Sequence, residues 1–178
     1  YKPTTATCKL VVTDGIIETK TVTFEVGVDK GLATTSSYQG KELMTKDCIK
    51  INSENANFSG STRNNKSFRF YQTNTKNKGE TTFSTTIGKI TKIEFIAEGS
   101  KNFPDKFETS VGTYDKTNYV WTGEETNITF TATQSVWATK IIVTLAVPQA
   151  KLYIFDETSD NNIVENYENA NVTLKRST

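Results

Sequence analysis

Four aromatic side chains in this sequence could do chemistry without a catalyst: Trp137, Tyr114, Tyr119 and Tyr71. Flat rings bind sugars by lying against the apolar face of a pyranose, while amides and carboxylates hydrogen-bond its hydroxyls. Trp137 is the preferred platform. Its neighbours Val136 and Ala138 point inward, and a bulge near Lys140 would return Ile141, Val143 and Leu145 to the same side, leaving Trp137 outward. The alternative is that Trp137 caps the open end of a sandwich, since large aromatics dominate cores. Tyr71 shares parity with Arg69, opposite Phe68 and Phe70, and is expected in solvent. Tyr114 is expected at a loop tip beside Asp115. Single exposed tyrosines are ordinary surface, so these rings matter only if they cluster. Trp121, which precedes a Thr-Gly turn, reads as core.

Acid–base chemistry has little to work with. The chain contains no histidine, which removes the commonest general base near neutral pH and every Ser-His or Cys-His nucleophile pair. A glycosidase would need two carboxylates across a cleft. Glu94, Glu98, Asp105, Glu108, Asp115, Glu124 and Glu125 offer pairs, but so would any chain with 20 acids. Solvated surface is the better reading, and the chain is read as non-catalytic. No cofactor is implied. Calcium is a reasonable structural ion, with Asp29, Asp105 or Asp115 as contributors, although no Asp-x-Asp-x-Asp pattern is present. Cys8 and Cys48 are the only thiols; one reads inward and the other outward, so two unpaired thiols are preferred over a bridge. Sequons stand at Asn57, Asn65, Asn127 and Asn171 and read as accidents of an Asn- and Thr-rich chain.

The elements that must position these residues are strands. Three runs alternate with period two: TKIEFIA at 91–97, TNITFTAT at 126–133 and ATKIIVTL at 138–145. A strand with one wet and one buried face requires that period. CKLVVT at 8–13 ends at the turn pair Asp14-Gly15, and a second strand follows at 19–28, with Val22, Phe24, Val26 and Val28 on one side. Residues 31–47 read as loop, with one helical turn at 41–45. Short strands are expected at 48–52, 67–71 and 80–87, with a long polar loop over 52–66. A hairpin is expected from 107–114 and 118–122, turning at 114–117. Past Pro148, strands are expected at 151–155 and 170–175. Strands spaced about every dozen residues, with turn chemistry between them, predict an all-β, two-sheet antiparallel sandwich with very little helix.

Composition narrows the partners. With 21 basic and 20 acidic residues the net charge is +1, so no long-range field favours nucleic acid. No apolar run approaches the ~20 residues of a membrane span. Threonine is about one residue in six, which suits solvent-facing strands and is associated with extracellular or cell-surface proteins. The opening residues 1–4 carry no signal-peptide pattern, so an exported protein would be a mature or excised piece of something longer.

Several short motifs carry a resemblance. TVTFEV at 21–26, ITKIEF at 90–95, WTG at 121–123, NITF at 127–130 and TKIIVT at 139–144 resemble jelly-roll modules of Bacteroidetes cell-surface lipoproteins, described as carbohydrate-binding-module-like or galactose-binding-like. The segments TAT at 5–7 and LVV at 10–12 are similar to the last strand of a bacterial Ig-like domain, and ANVTLKR at 170–176 to the start of a following β-rich domain. The resemblance implies three parts: 1–16, the jelly roll 17–147, and a β-rich tail 148–178. It also implies a surface-exposed module for glycans or adhesion within a larger modular protein, and it transfers no fixed site residues. The rival expectation is a structural spacer or protein-interaction module with no small ligand.

Overall fold

A computed structural model of the chain describes residues 8–13, 16–35, 37–59, 67–99, 101–149, 151–156 and 167–168. The described residues are all-β, with one 3-10 turn at Pro104–Lys106 as their only helical element. The strands are β1 (Cys8–Thr13), β2 (Ile17–Glu25), β3 (Gly40–Lys46), β4 (Ile49–Asn57), β5 (Phe68–Phe70), β6 (Glu80–Thr85) and β7 (Lys89–Ala97). They continue with β8 (Phe107–Thr109), β9 (Thr113–Asp115), β10 (Val120–Glu125), β11 (Asn127–Ala132), β12 (Val136–Pro148), β13 (Lys151–Asp156) and β14 (Tyr167–Glu168).

The chain divides into two units, residues 1–18 with 147–178 and residues 19–146. In the first, β1 pairs antiparallel with β13, Cys8 opposite Asp156 and Thr13 opposite Lys151, and β13 pairs with β14. The strand expected at 170–175 lies outside the described residues. In the second unit an antiparallel sheet runs in the order β8-β11-β6-β4-β5-β12-β7-β10-β9, with β3 added on β4 and β2 on β12. Its two ends, β8 and β9, are consecutive in sequence, so the sheet nearly closes on itself. That arrangement leaves few free edges.

Alternation fills the interior. Ile128, Phe130 and Ala132 of β11 are buried, as are Ile90, Ile93 and Phe95 of β7. Around them Phe83, Phe95, Phe107 and Phe130 meet at centroid distances of 5.0–5.9 Å, and Phe70 meets Phe107 at 5.4 Å. Most of these pairs are edge to face, the arrangement that ring quadrupoles favour. Trp121 is fully buried and donates its indole N–H to the Val111 carbonyl at 2.7 Å. It lies so close to Gly112 and Gly123 that a Cβ on either would come within 2.6 Å of the indole. The WTG motif is therefore a packing unit.

Four local expectations change. Residues 41–45 are strand β3 rather than a helical turn, because Leu43 to Lys46 pair with Asn52 to Ile49. Residues 52–57 continue β4 rather than opening a loop. The buried amides there find distant carbonyls: Asn57 donates to those of Thr35 and Tyr38 at 3.0 and 2.8 Å, and Asn55 to that of Gln72 at 2.7 Å, while Asn55 Oδ1 has no partner among the described residues. β2 stops at Glu25 rather than Val28, since Gly27 (φ +85°) turns the chain and Asp29 accepts from the Glu25 amide, leaving Val28 exposed. The turn expected at 114–117 sits at 116–119, between β9 and β10.

Candidate binding site

Trp137 is presented by β12. Val136 and Ala138 are fully buried, and the register on β7 shifts between Ala138 and Lys140. That bulge restores Ile141, Val143 and Leu145 to the interior and leaves Trp137 half-buried on the outer face. Strand β5 lies along one side of β12, with Arg69 directly opposite Trp137. Along the other side the Glu98 amide donates to the Trp137 carbonyl (3.3 Å) and the Trp137 amide to the Asn102 carbonyl (2.8 Å). Asn102 has φ +55°, a conformation asparagine tolerates better than most residues.

Both flanks contribute a cation to the ring. The Arg69 guanidinium carbon is 4.3 Å from the ring centroid and Lys101 Nζ is 5.0 Å from it. Contacts of this kind are worth about 0.5–1 kcal/mol at exposed sites and more when shielded from water. Among the described residues neither cation makes an ion pair. Two donors at this spot, Trp137 Nε1 and Arg69 Nε, are shielded from solvent and have no acceptor among the described residues. The rim thus holds two positive charges and two unused N–H groups.

The three tyrosines meet different fates. Tyr71 follows Arg69 by two positions and is half-buried; its amide donates to the Asn55 carbonyl at 2.9 Å. The next residue, Gln72, is tied to Ser135 of the segment leading into Trp137 (3.1 Å). Tyr119 stands in the 116–119 turn with φ +60°, and its ring lies parallel to that of Phe103 at 6.4 Å and 16°. Phe103, 38% exposed, adjoins Asn102 in sequence, and among the described residues no ring-to-ring contact joins Trp137 to Phe103, Tyr119 or Tyr71.

Tyr114 is not at a loop tip. It is the middle residue of β9, its ring edge-on to Phe95, Phe107 and Phe130 at 5.6–6.3 Å. Its hydroxyl donates to the Pro104 carbonyl at 2.9 Å. Burial, helped by Asp105, Tyr119 and Asp115, pushes the phenol far above its ordinary range. Ring and hydroxyl are both engaged in the fold, where Tyr114 holds the segment that carries Phe103.

Sequence reasoning did not single out Arg69, Lys101 or Phe103. Arg69 had a visible signal, since it alternates outward between Phe68 and Phe70. Lys101 and Phe103 had none, because they lie in a loop whose path only the hydrogen bonds to Trp137 reveal.

The acids are dispersed. Asp29 pairs with Lys46 (3.0 Å), Asp105 with Lys106, and Asp115 accepts from the Thr117 and Asn118 amides to close its turn. The Asn118 side-chain amide, which donates to Asp115 at 2.7 Å, and then those backbone bonds hold the Asp115 carboxyl below its ordinary value. Glu94 pairs with Lys92 at 2.7 Å. Among the described residues no three His, Cys, Asp or Glu side chains gather as metal ligands. Glu42 is different. Fully buried, it accepts from the Leu32 and Ala33 amides at 2.7 and 2.8 Å and anchors that loop. Burial raises its pKa against the lowering effect of those bonds and one from Phe58. Its Oε2 would collide with any Cβ at Gly31, so it belongs to a closed interior. Cys48 is a free, half-buried thiol, and the side chain of Cys8 lies outside the description. The sequon at Asn57 has its amide buried and bonded, so it is no acceptor in the folded chain; Asn127 is exposed, and Asn65 and Asn171 lie outside the described residues.

No family model, no curated protein and no solved structure matches this chain. No helix among the described residues is long and apolar enough to cross a membrane.

Proposed function

We propose that residues 19–146 are a non-catalytic, surface-displayed binding module of jelly-roll type that holds glycans, as one part of a larger modular protein. The observation that carries this reading is the half-buried Trp137 on the outer face of β12, opposite Arg69 of β5 and bonded through its amide to the Asn102 carbonyl of the loop that also bears Phe103. Aromatic rims of this kind, edged by hydrogen-bonding groups, suit pyranose rings. Supporting the jelly-roll assignment are the antiparallel sheet and a strand order in which sequence neighbours are often separated, as with β6 between β11 and β4. The lack of histidine throughout the sequence favours binding over catalysis. The resemblance of the strand motifs to bacterial surface modules motivates the cell-surface location.

A second reading has its own observation. Arg69 and Lys101 already lie over the Trp137 ring, which hinders a neutral sugar from stacking there and favours a spacer with no small ligand. Glycan-array and affinity-gel retention of the wild type and Trp137→Ala separates the two. Retention lost in the variant supports binding, whereas a wild type that no polysaccharide retains belongs to the spacer.

A further inference from the structure

We infer that the ligand class at this rim is an anionic glycan, one whose sugars carry carboxylate or sulfate groups. This rests on the glycan-binding reading and narrows it. The cations over Trp137 are an obstacle to a neutral sugar but an attraction to a charged one. Arg69 and Lys101 reach the same ring from opposite sides of β12, and among the described residues no carboxylate pairs with either. An ion pair with a ligand is thus available to each.

The donors point to the same chemistry. Trp137 Nε1 and Arg69 Nε are buried N–H groups without acceptors among the described residues. A buried donor left unpaired costs free energy, and an oxyanion has several lone pairs with which to satisfy two donors at once. A hydroxyl of a neutral sugar satisfies them less well, because it brings no charge to oppose the guanidinium and ammonium. An incoming oxygen reaches the two buried N–H groups only if Arg69 shifts across the indole, so binding requires that movement. The whole chain is nearly neutral, at +1, so attraction of a polyanion must be local to such a rim rather than a property of the molecule.

The test is affinity electrophoresis of the full 178-residue chain in gels containing polygalacturonate or dextran sulfate. The matched neutral polymers are carboxyl-reduced polygalacturonate and dextran. The expected result is retention by at least one charged polymer, absent from its neutral counterpart and weakened at high salt. Lys101→Gln and Arg69→Gln should each raise the apparent dissociation constant by about tenfold, the loss of one charge-assisted hydrogen bond. Lys101 is exposed, so its variant keeps the test sound should Arg69→Gln fail to fold. Equal retention by charged and neutral polymers would overturn the anionic class and leave glycan binding standing. Retention by none would overturn both. Retention by polyanions that is indifferent to both substitutions, or matched by polyglutamate and single-stranded DNA, would reduce the effect to nonspecific charge and overturn the inference.

Discussion

Two aromatic regions of unit 19–146 differ in what their polar atoms do. Around Phe95, Phe107 and Phe130, the one polar ring, Tyr114, spends its hydroxyl on the Pro104 carbonyl. Beside it, only Asp105 Oδ1 is left without a partner among the described residues. Around Trp137 the indole N–H and the Arg69 Nε have no acceptor among the described residues, and the charges beside the ring have no partner there. Interiors are expected to be satisfied; an unsatisfied, charged rim calls for an explanation from outside the fold. Aromatic content alone would have ranked the two regions equally.

Substitutions can break this contrast. Phe95→Ala should have the largest effect, a loss of about 3–5 kcal/mol, because a fully buried ring touching five other aromatics is removed. Urea denaturation would show it, and a loss below about 1 kcal/mol would mean the core is not packed as described.

Next comes Glu42→Gln, at about 1–3 kcal/mol, since an amide would set its own N–H against the Leu32 or Ala33 amide. The same residue predicts a pH dependence. Burial raises the Glu42 carboxyl above its ordinary 4.5, so the folded chain binds that proton more tightly than the unfolded chain. The resulting stability is fully present below 4.5 and is lost as pH rises through the raised value. The wild-type advantage over Glu42→Gln should therefore shrink between acid and neutral pH. If it grows instead, the backbone bonds outweigh desolvation.

Tyr114→Phe should cost about 1 kcal/mol through the orphaned Pro104 carbonyl, with glycan retention preserved so long as Phe103 stays in place. Trp137→Phe should have the smallest effect on stability, within about 1 kcal/mol, because a ring remains beneath the cations. It should nonetheless weaken retention, having lost the Nε1 donor. A Tyr114→Phe that abolishes binding, or a Trp137→Phe that leaves it untouched, would erase the distinction between the two regions.

Much of the fold was legible because alternation is local. Val22 and Phe24, Ile128 and Phe130, Ile141 and Val143 declare their side by parity alone, and even the bulge near Lys140 followed from the need to return three apolar residues inward. Polar residues misled where burial was satisfied at a distance. Asn55 and Asn57 look like loop residues, yet their amides serve the carbonyls of Gln72, Thr35 and Tyr38 across as many as 22 positions of sequence. Likewise Lys41 to Thr45, helical in pattern, became a strand because β4 offered a partner.

By itself, then, the sequence determined that this is a β protein without histidine, and it left Trp137 open between an outward platform and a cap on the core. Those features depend on residue type and on a period of two. Only the tertiary structure decided which residues meet at Trp137, because Arg69 and Lys101 lie 68 and 36 positions away from it and arrive from opposite flanks of β12 through strand pairing and one loop. It also withdrew Tyr114 from the surface, since the closing of β9 onto β10 carries that ring inward. Pairing across such separations follows from global packing, which no local pattern encodes.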